Sequence, residues 1–222
     1  MRKFRLLLWL TGVLLVAAFT GGCGASVSKI KNEWIKESGR FRESKSFSSQ
    51  RVEILARLLR EAPTNVVEGE FRRLCLVEVP DGPNEAFDYD KTLLEALILN
   101  AVKRRDAARL SALLSANCPS HIGFIPLEFY VAQEWPGGFT VLFDSYAKAK
   151  SEHAKQGLML CLGRAFGPLR EQSRGNEQFV AAAERWYKEN HEKANINQKY
   201  PHLGARPAWE SMHADKNLFI LK

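Results

Sequence analysis

The chain has 222 residues, 45% hydrophobic and 26% charged, the balance of a folded globular protein rather than a disordered one. Its formal net charge of +7 suggests a polyanionic partner until that charge is placed along the chain. Arg2, Lys3 and Arg5 supply three of the positive charges, and residues 24–48 hold six Lys or Arg against three Glu, which leaves about +1 for residues 49–222. A folded part without a basic footprint argues against a nucleic-acid partner.

The basic cluster at residues 2–5 is followed by a nearly unbroken apolar run from Leu6 to Phe19 and then by Thr20-Gly21-Gly22-Cys23. Charge, apolar stretch and small-residue site in this order read as a secretory signal. As a helix the apolar run reaches roughly 21 Å, short of the ~30 Å hydrocarbon core that a stable span must cross. Thr20-Gly21-Gly22-Cys23 resembles the lipobox of bacterial lipoproteins, with Thr20 where that family usually has Leu. The resemblance implies cleavage before Cys23, lipid on its thiol and attachment to a membrane of the bacterial cell envelope. Gly24 stands where an Asp would imply inner-membrane retention in the enterobacterial pattern, so outer-membrane placement is favoured where such a membrane exists. The residues alone also fit an ordinary signal peptide, with Cys23 a plain thiol, or an uncleaved anchor. Residues 1–22 are thus expected to be a signal peptide and residues 23–48, rich in Ser, Lys and Glu, a flexible tether. The Lys and Arg of the tether would lie beside anionic head groups.

From Ser49 onward the pattern is helical. Val52, Leu55, Leu58 and Leu59 make one apolar stripe, which Ala62-Pro63-Thr64 interrupts. Thr64 is expected to cap a run from Val66 to Val77, with Leu76 to Val79 alternatively extended, and residues 80–88 to form a loop. Asp90 is expected to cap the next helix, on which Leu94, Leu97, Ile98, Ala101 and Val102 share a face and Lys103, Arg104 and Arg105 complement the dipole. Asp106 caps a helix carrying Leu110, Leu113 and Leu114, so the chain either folds back or kinks at Arg105-Asp106. After a loop at residues 117–124, Pro126 opens a helix with Leu127, Phe129, Tyr130 and Val131. Trp135-Pro136-Gly137-Gly138 precedes a helix with Phe139, Leu142, Phe143 and Tyr146. Ser151 caps another, with Ala154, Leu158, Cys161, Leu162, Ala165 and Phe166, which Gly167-Pro168 ends. Asn176 opens the last, with Phe179, Ala182, Ala183, Trp186 and Tyr187. Residues 192–222 read as an irregular extension held by Trp209 and Phe219 to Leu221.

The expected fold is all-α over residues 49–191, either a short stacked helix-pair solenoid or an irregular helical bundle. Phe139 to Phe166 resembles a HEAT-type repeat in its helix–turn–helix rhythm. Ala101-Val102-Lys103-Arg104-Arg105-Asp106 through Leu113-Leu114 resembles an ankyrin helix pair, although Ile125-Pro126-Leu127-Glu128 stands where that family has Thr-Pro-Leu-His. These resemblances imply a protein-binding scaffold.

Catalytic patterns are missing from the sequence. No glycine-rich phosphate loop and no Gly-x-Ser-x-Gly elbow occurs. None of His121, His153, His191, His202 and His213 forms His-x-x-x-His, and Cys118 with His121 lacks the second local pair that a zinc site needs. No metal or cofactor is therefore expected. The pairs Glu68/Glu70, Asp88/Asp90 and Glu189/Glu192 read as solvated faces. Besides Cys23 the cysteines are Cys75, Cys118 and Cys161; an oxidising envelope permits one disulfide among them, while the apolar neighbours of Cys75 and Cys161 favour free, buried thiols. Tyr130, Trp135, Trp186 and Tyr187 are the candidate binding face, since Trp and Tyr are enriched at the energetic centres of interfaces. The preferred reading is a non-enzymatic, lipid-anchored scaffold that binds another envelope protein. The alternative is an envelope hydrolase acting on peptidoglycan, peptide or glycan, with Glu68, Glu128 and Asp144 as its first candidate carboxylates.

Overall fold

The computed structural model describes residues 27–39, 47–79, 85–123 and 125–191. The expected signal peptide at 1–22, Cys23 and the extension at 192–222 lie outside the described residues. The elements in order are α1 (27–38), α2 (Phe47–Glu61), α3 (Thr64–Leu74), α4 (Glu85–Arg104), α5 (Ala107–Ala116), β1 (His121–Ile122), β2 (Ile125–Pro126), α6 (Leu127–Glu134), α7 (Phe139–Lys148), α8 (Glu152–Ala165), α9 (Gly167–Gln172) and α10 (Asn176–Asn190). The protein is all-α, apart from the two-residue antiparallel ladder of β1 and β2, in which His121 faces Pro126 and Ile122 faces Ile125.

Helix α4 is the centre of the molecule. Leu93, Leu94, Ala96, Leu97, Ile98, Leu99, Ala101 and Val102 are all buried, so the stripe legible in the sequence is only part of an apolar surface that runs nearly all round. A helix apolar on every side has to be surrounded, and α4 packs against α2, α3, α5, α6 and β1. Truncating one of its fully buried leucines to Ala costs about 2–5 kcal/mol, lost transfer energy plus the cavity left behind. Beyond α4, α5 packs on α7 and α8, α6 on α8, and α10 on α7, α8 and α9. The main contacts thus join helices no more than three places apart in the chain.

Local chemistry explains most boundaries. The Asp106 carboxylate accepts the Arg109 N–H at 3.0 Å and the Ser151 hydroxyl accepts the Ala154 N–H at 3.1 Å, so both act as the caps the sequence suggests. At the end of α4, Arg105 takes φ 55° while Asp106 N–H bonds Ala101 C=O at 2.9 Å. This left-handed closure turns the chain back, and α5 packs on α4 rather than continuing it.

Other expectations are corrected. The tether expected at 23–48 contains a docked helix: α1 buries Trp34 to 3% exposure against α2 and α4. The Trp34 indole N–H donates to Arg51 C=O at 3.1 Å, its ring meets Tyr89 edge-on at 5.3 Å, and the Arg51 guanidinium lies 4.5 Å over it. Glu37 fixes the outer edge through Arg57 at 2.6 Å. Thr64 is not a cap but the first residue of α3, because Pro63 holds extended backbone and its carbonyl already takes Val66 and Val67 N–H. Asp90 is not a cap either: α4 starts at Glu85, inside the loop expected at 80–88, and Asp90 is held by Arg73 at 2.7 Å beside Glu70. The loop expected at 117–124 contributes β1, whose turn requires Gly123 at φ 61° because a Cβ there would strike the Ser49 backbone at 2.9 Å.

Candidate functional site

Of the four aromatic residues expected to form a binding face, two are buried and two are half-buried. Tyr130 is 0% and Tyr187 3% exposed, so both are core. Tyr187 stacks among Phe139, Phe143 and Phe166, and its hydroxyl donates to Pro136 C=O. Trp135 and Trp186 are half-buried and pack onto the same core, Trp186 edge-on to Phe166 at 5.8 Å. Periodicity put these rings on inward stripes, and the inward position prevails.

The carboxylates of the hydrolase reading are also dispersed. Asp144 is exposed and lies 3.7 Å from Lys148. Glu68 sits on the outer side of α3, bonded to Arg72 and Arg109. Glu128 alone is buried, at 0% exposure, gripped by Arg164 through two bonds of 2.7 Å. Burial raises the Glu128 carboxyl above its ordinary range, and the guanidinium opposes that rise.

Around this pair lie the other polar groups singled out from the sequence. Arg164 also donates to Ser120 C=O at 2.7 Å and approaches the Cys161 sulfur at 3.8 Å. The Ser120 hydroxyl is 2.8 Å from His121 Nδ1. Burial, with the nearby Arg164 and Lys91 charges, pushes His121 down to about 4. A hydrogen bond with Cys118, together with burial, holds the Cys161 thiol well above the ordinary thiol range. A buried thiol held in its protonated form is a poor nucleophile, since the thiolate is the reactive form. These groups tie β1 and α6 to α8. Among the described residues no three His, Cys, Asp or Glu side chains are grouped to hold a metal ion, and no helix is long and apolar enough to cross a membrane.

A concavity lies elsewhere, where the C-terminal end of α2, the α3 helix, the last turns of α4 and the start of α5 converge. Leu59, Val67, Phe71, Leu97, Ala101 and Leu113 line it with apolar surface. Arg60, Asn100, Arg104, Asp106 and Arg109 form its polar part. Arg109 stacks 5.1 Å over the Phe71 ring, bonds Glu68 at 2.7 Å and reaches Asp106 at 3.5 Å. Arg60 donates to Asn100 Oδ1 at 2.9 Å, and Asn100 Nδ2 donates to Ala56 C=O at 3.1 Å. Arg60 and Arg104 have no carboxylate partner among the described residues, and Lys103 and Arg105 are exposed beside them. The groove is therefore cationic at its rim although the domain as a whole is nearly neutral.

Its size limits its use. The free volume is about 110 Å³, well below the ~300 Å³ at which pockets enclose a small ligand. An inserted apolar side chain fits; a sugar or nucleotide does not. A second, wider depression of about 520 Å³ lies between Tyr146, Lys155, Met159, Leu160, Arg170 and Glu177, open and of mixed charge. Sequence reasoning missed the groove because Arg104 has a sufficient local reason at a helix C-terminus. Its approach to Arg60 exists only once α2 packs on α4, and Arg109 joins them only once α5 folds back.

No protein-family model matches the chain, and neither a curated protein nor a solved structure matches it.

Proposed function

We propose that this chain is an exported lipoprotein, anchored through acyl chains on Cys23 in the bacterial cell envelope, whose helical domain docks an acidic segment of another envelope protein. The observation that carries the anchoring part is the order of Arg2-Lys3, the apolar run Leu6–Phe19 and Thr20-Gly21-Gly22-Cys23. Several acyl chains on one cysteine give a persistent tether, where a single chain binds reversibly. With α1 beginning at residue 27, at most three linking residues, roughly 10 Å of extended chain, separate the lipid from the folded domain. The domain is then held against the bilayer, with Lys29, Lys31 and Lys36 near anionic head groups.

The docking part is supported by the groove: an apolar floor sized for one side chain, with Arg60 and Arg104 at the rim lacking carboxylate partners among the described residues. A partner segment with one apolar anchor flanked by Asp or Glu satisfies both features. Helices packed chiefly on near neighbours in the chain are also the arrangement of stacked helix-pair scaffolds.

Two measurements test the proposal. Mass spectrometry of the amino-terminal peptide from the protein made in an exporting bacterium is expected to show acylated Cys23, and Cys23→Ala to shift the protein from membrane to soluble fractions. An intact Met1 or an unmodified Cys23 thiol refutes the anchor. A photo-crosslinker at Thr64 is expected to capture one defined protein, with capture lost in Arg60→Glu/Arg104→Glu and retained in Lys188→Glu. Capture indifferent to the two arginines refutes the groove.

A further inference from the structure

We infer that Cys118 and Cys161 are a disulfide-forming pair, which closes to lock the end of α5 against α8 while Cys75 stays a free thiol. The inference goes beyond the anchoring and docking reading and concerns different residues.

The two cysteines stand 43 positions apart in the chain, yet three observations bring them together. Both side chains are buried, Cys118 at 3% and Cys161 at 0% exposure. Cys118 is near enough to Cys161 to raise the proton affinity of its thiol. Gly157, one helical turn before Cys161, leaves the space that Cys118 fills: a Cβ at Gly157 would lie 3.0 Å from Cys118 Cβ and 2.2 Å from its carbonyl oxygen. Side chains on a helix lean toward its N-terminus over the preceding turn, so Cys161 leans over the spot that Gly157 vacates for Cys118. A disulfide asks for side chains converging from two close backbones, and a helix made bare by glycine opposite one of the cysteines supplies that approach. Cys75, at the end of α3, is only half-buried, whereas Cys118 and Cys161 are both buried.

The oxidant is a disulfide of low molecular weight, such as oxidised glutathione. The thiolate of one cysteine attacks a sulfur of that disulfide and expels one glutathione thiolate, giving a mixed disulfide. The thiolate of the second cysteine then attacks the protein-bound sulfur, forms the Cys118–Cys161 bond and expels the second glutathione. Two protein thiols are oxidised and one disulfide is reduced to two thiols, which take up the two protons released. Both cysteines are inaccessible once the helices have packed, so exchange belongs to the folding chain, and packing then shields the bond.

The test is refolding of the reduced full-length chain in a glutathione redox buffer, followed by alkylation and peptide mapping. A peptide pair joined through Cys118 and Cys161, with Cys75 alkylated, is expected. Melting temperature is expected to rise by roughly 5–10 °C over the reduced protein, since a cross-link closing a loop of this length constrains the unfolded chain. Cys75→Ala keeps both results; Cys118→Ala and Cys161→Ala each abolish the linked peptide. Should either single variant fail to fold, the oxidised and reduced forms of the unaltered chain still decide the matter. Alkylation of both Cys118 and Cys161 in the refolded protein, or a bridge to Cys75, overturns the inference. Neither result bears on lipid at Cys23, which is read from a different peptide.

Discussion

The Asn117 carboxamide oxygen accepts the backbone N–H of Val79 at 2.8 Å, across 38 positions of chain. The same side chain donates to Leu74 C=O at 2.7 Å and Val77 C=O at 2.9 Å, and Asn117 is 1% exposed. One buried amide thus completes the backbone hydrogen bonding where the chain leaves α3, and fixes that turn to the end of α5. Asn117→Ala leaves one N–H and two carbonyls without these partners. Each unsatisfied buried group costs about 1–3 kcal/mol, so a loss of roughly 3 kcal/mol is expected after partial hydration of the exposed turn at Leu76 and Val77. Urea unfolding checks this, and a loss below 1 kcal/mol refutes the bracket.

Glu128 and Arg164 make a different kind of tie, an ion pair between a buried carboxylate and a half-buried guanidinium. Removing one side strands a charge, which costs about 3–5 kcal/mol, whereas replacing both with apolar side chains of similar volume is often neutral. Arg164→Met is therefore expected to destabilise severely, and Glu128→Leu/Arg164→Met to recover most of the loss. A double-mutant cycle by chemical denaturation reads the coupling directly. Strict additivity of the two substitutions contradicts the pair.

Contrasts of this sort show what the sequence carried and what it did not. Caps at Asp106 and Ser151 were legible because a cap is settled within four residues. The apolar stripes of α2, α4 and α8 were legible for the same reason of local period. Trp34 was not: its indole is held by Arg51 and Tyr89, partners that only folding brings near, so the segment around it reads as a solvated spacer. Asp90 shows the converse. A good local reason to cap was overridden by Arg73, which arrives from the preceding helix with two bonds. The groove rests on Arg60, Arg104 and Arg109, each with an ordinary local explanation, and their convergence depends on the packing of α2 on α4 and on the reversal at Arg105.

That reversal carries its own strain. Arg105 holds φ 55°, where a side chain crowds the following carbonyl at a cost of roughly 1–2 kcal/mol. Its position just past the end of α4, with Asp106 N–H bonded to Ala101 C=O, is one where helices commonly place glycine. Arg105→Gly is expected to raise stability by about 0.5–1 kcal/mol, the strain relieved less the extra freedom of glycine in the unfolded chain. Thermal unfolding with a melting temperature higher by a few degrees bears this out, and a decrease argues against left-handed backbone at this residue.

The His121 imidazole sets a pH limit on stability. Its folded value is pushed down to about 4, through burial first and then the Arg164 and Lys91 charges, from an ordinary 6.5. The unfolded chain therefore takes up a proton as pH falls below about 6.5, while the folded protein leaves the ring neutral until about 4. Unfolding binds more protons throughout that window, so the His121 contribution is fully present above 6.5 and is lost as pH falls through it. The slope reaches at most ~1.4 kcal/mol per pH unit, and partial solvent access at His121 reduces the total to roughly 1–2 kcal/mol. His121→Gln removes the titration while keeping a polar group near Ser120. The difference in unfolding free energy between the two proteins, measured from pH 7.5 to 4.5, is expected to move steadily in favour of the variant as pH falls. Parallel curves for the two proteins would place His121 in an ordinary solvated environment and separate it from the cluster of Glu128 and Arg164.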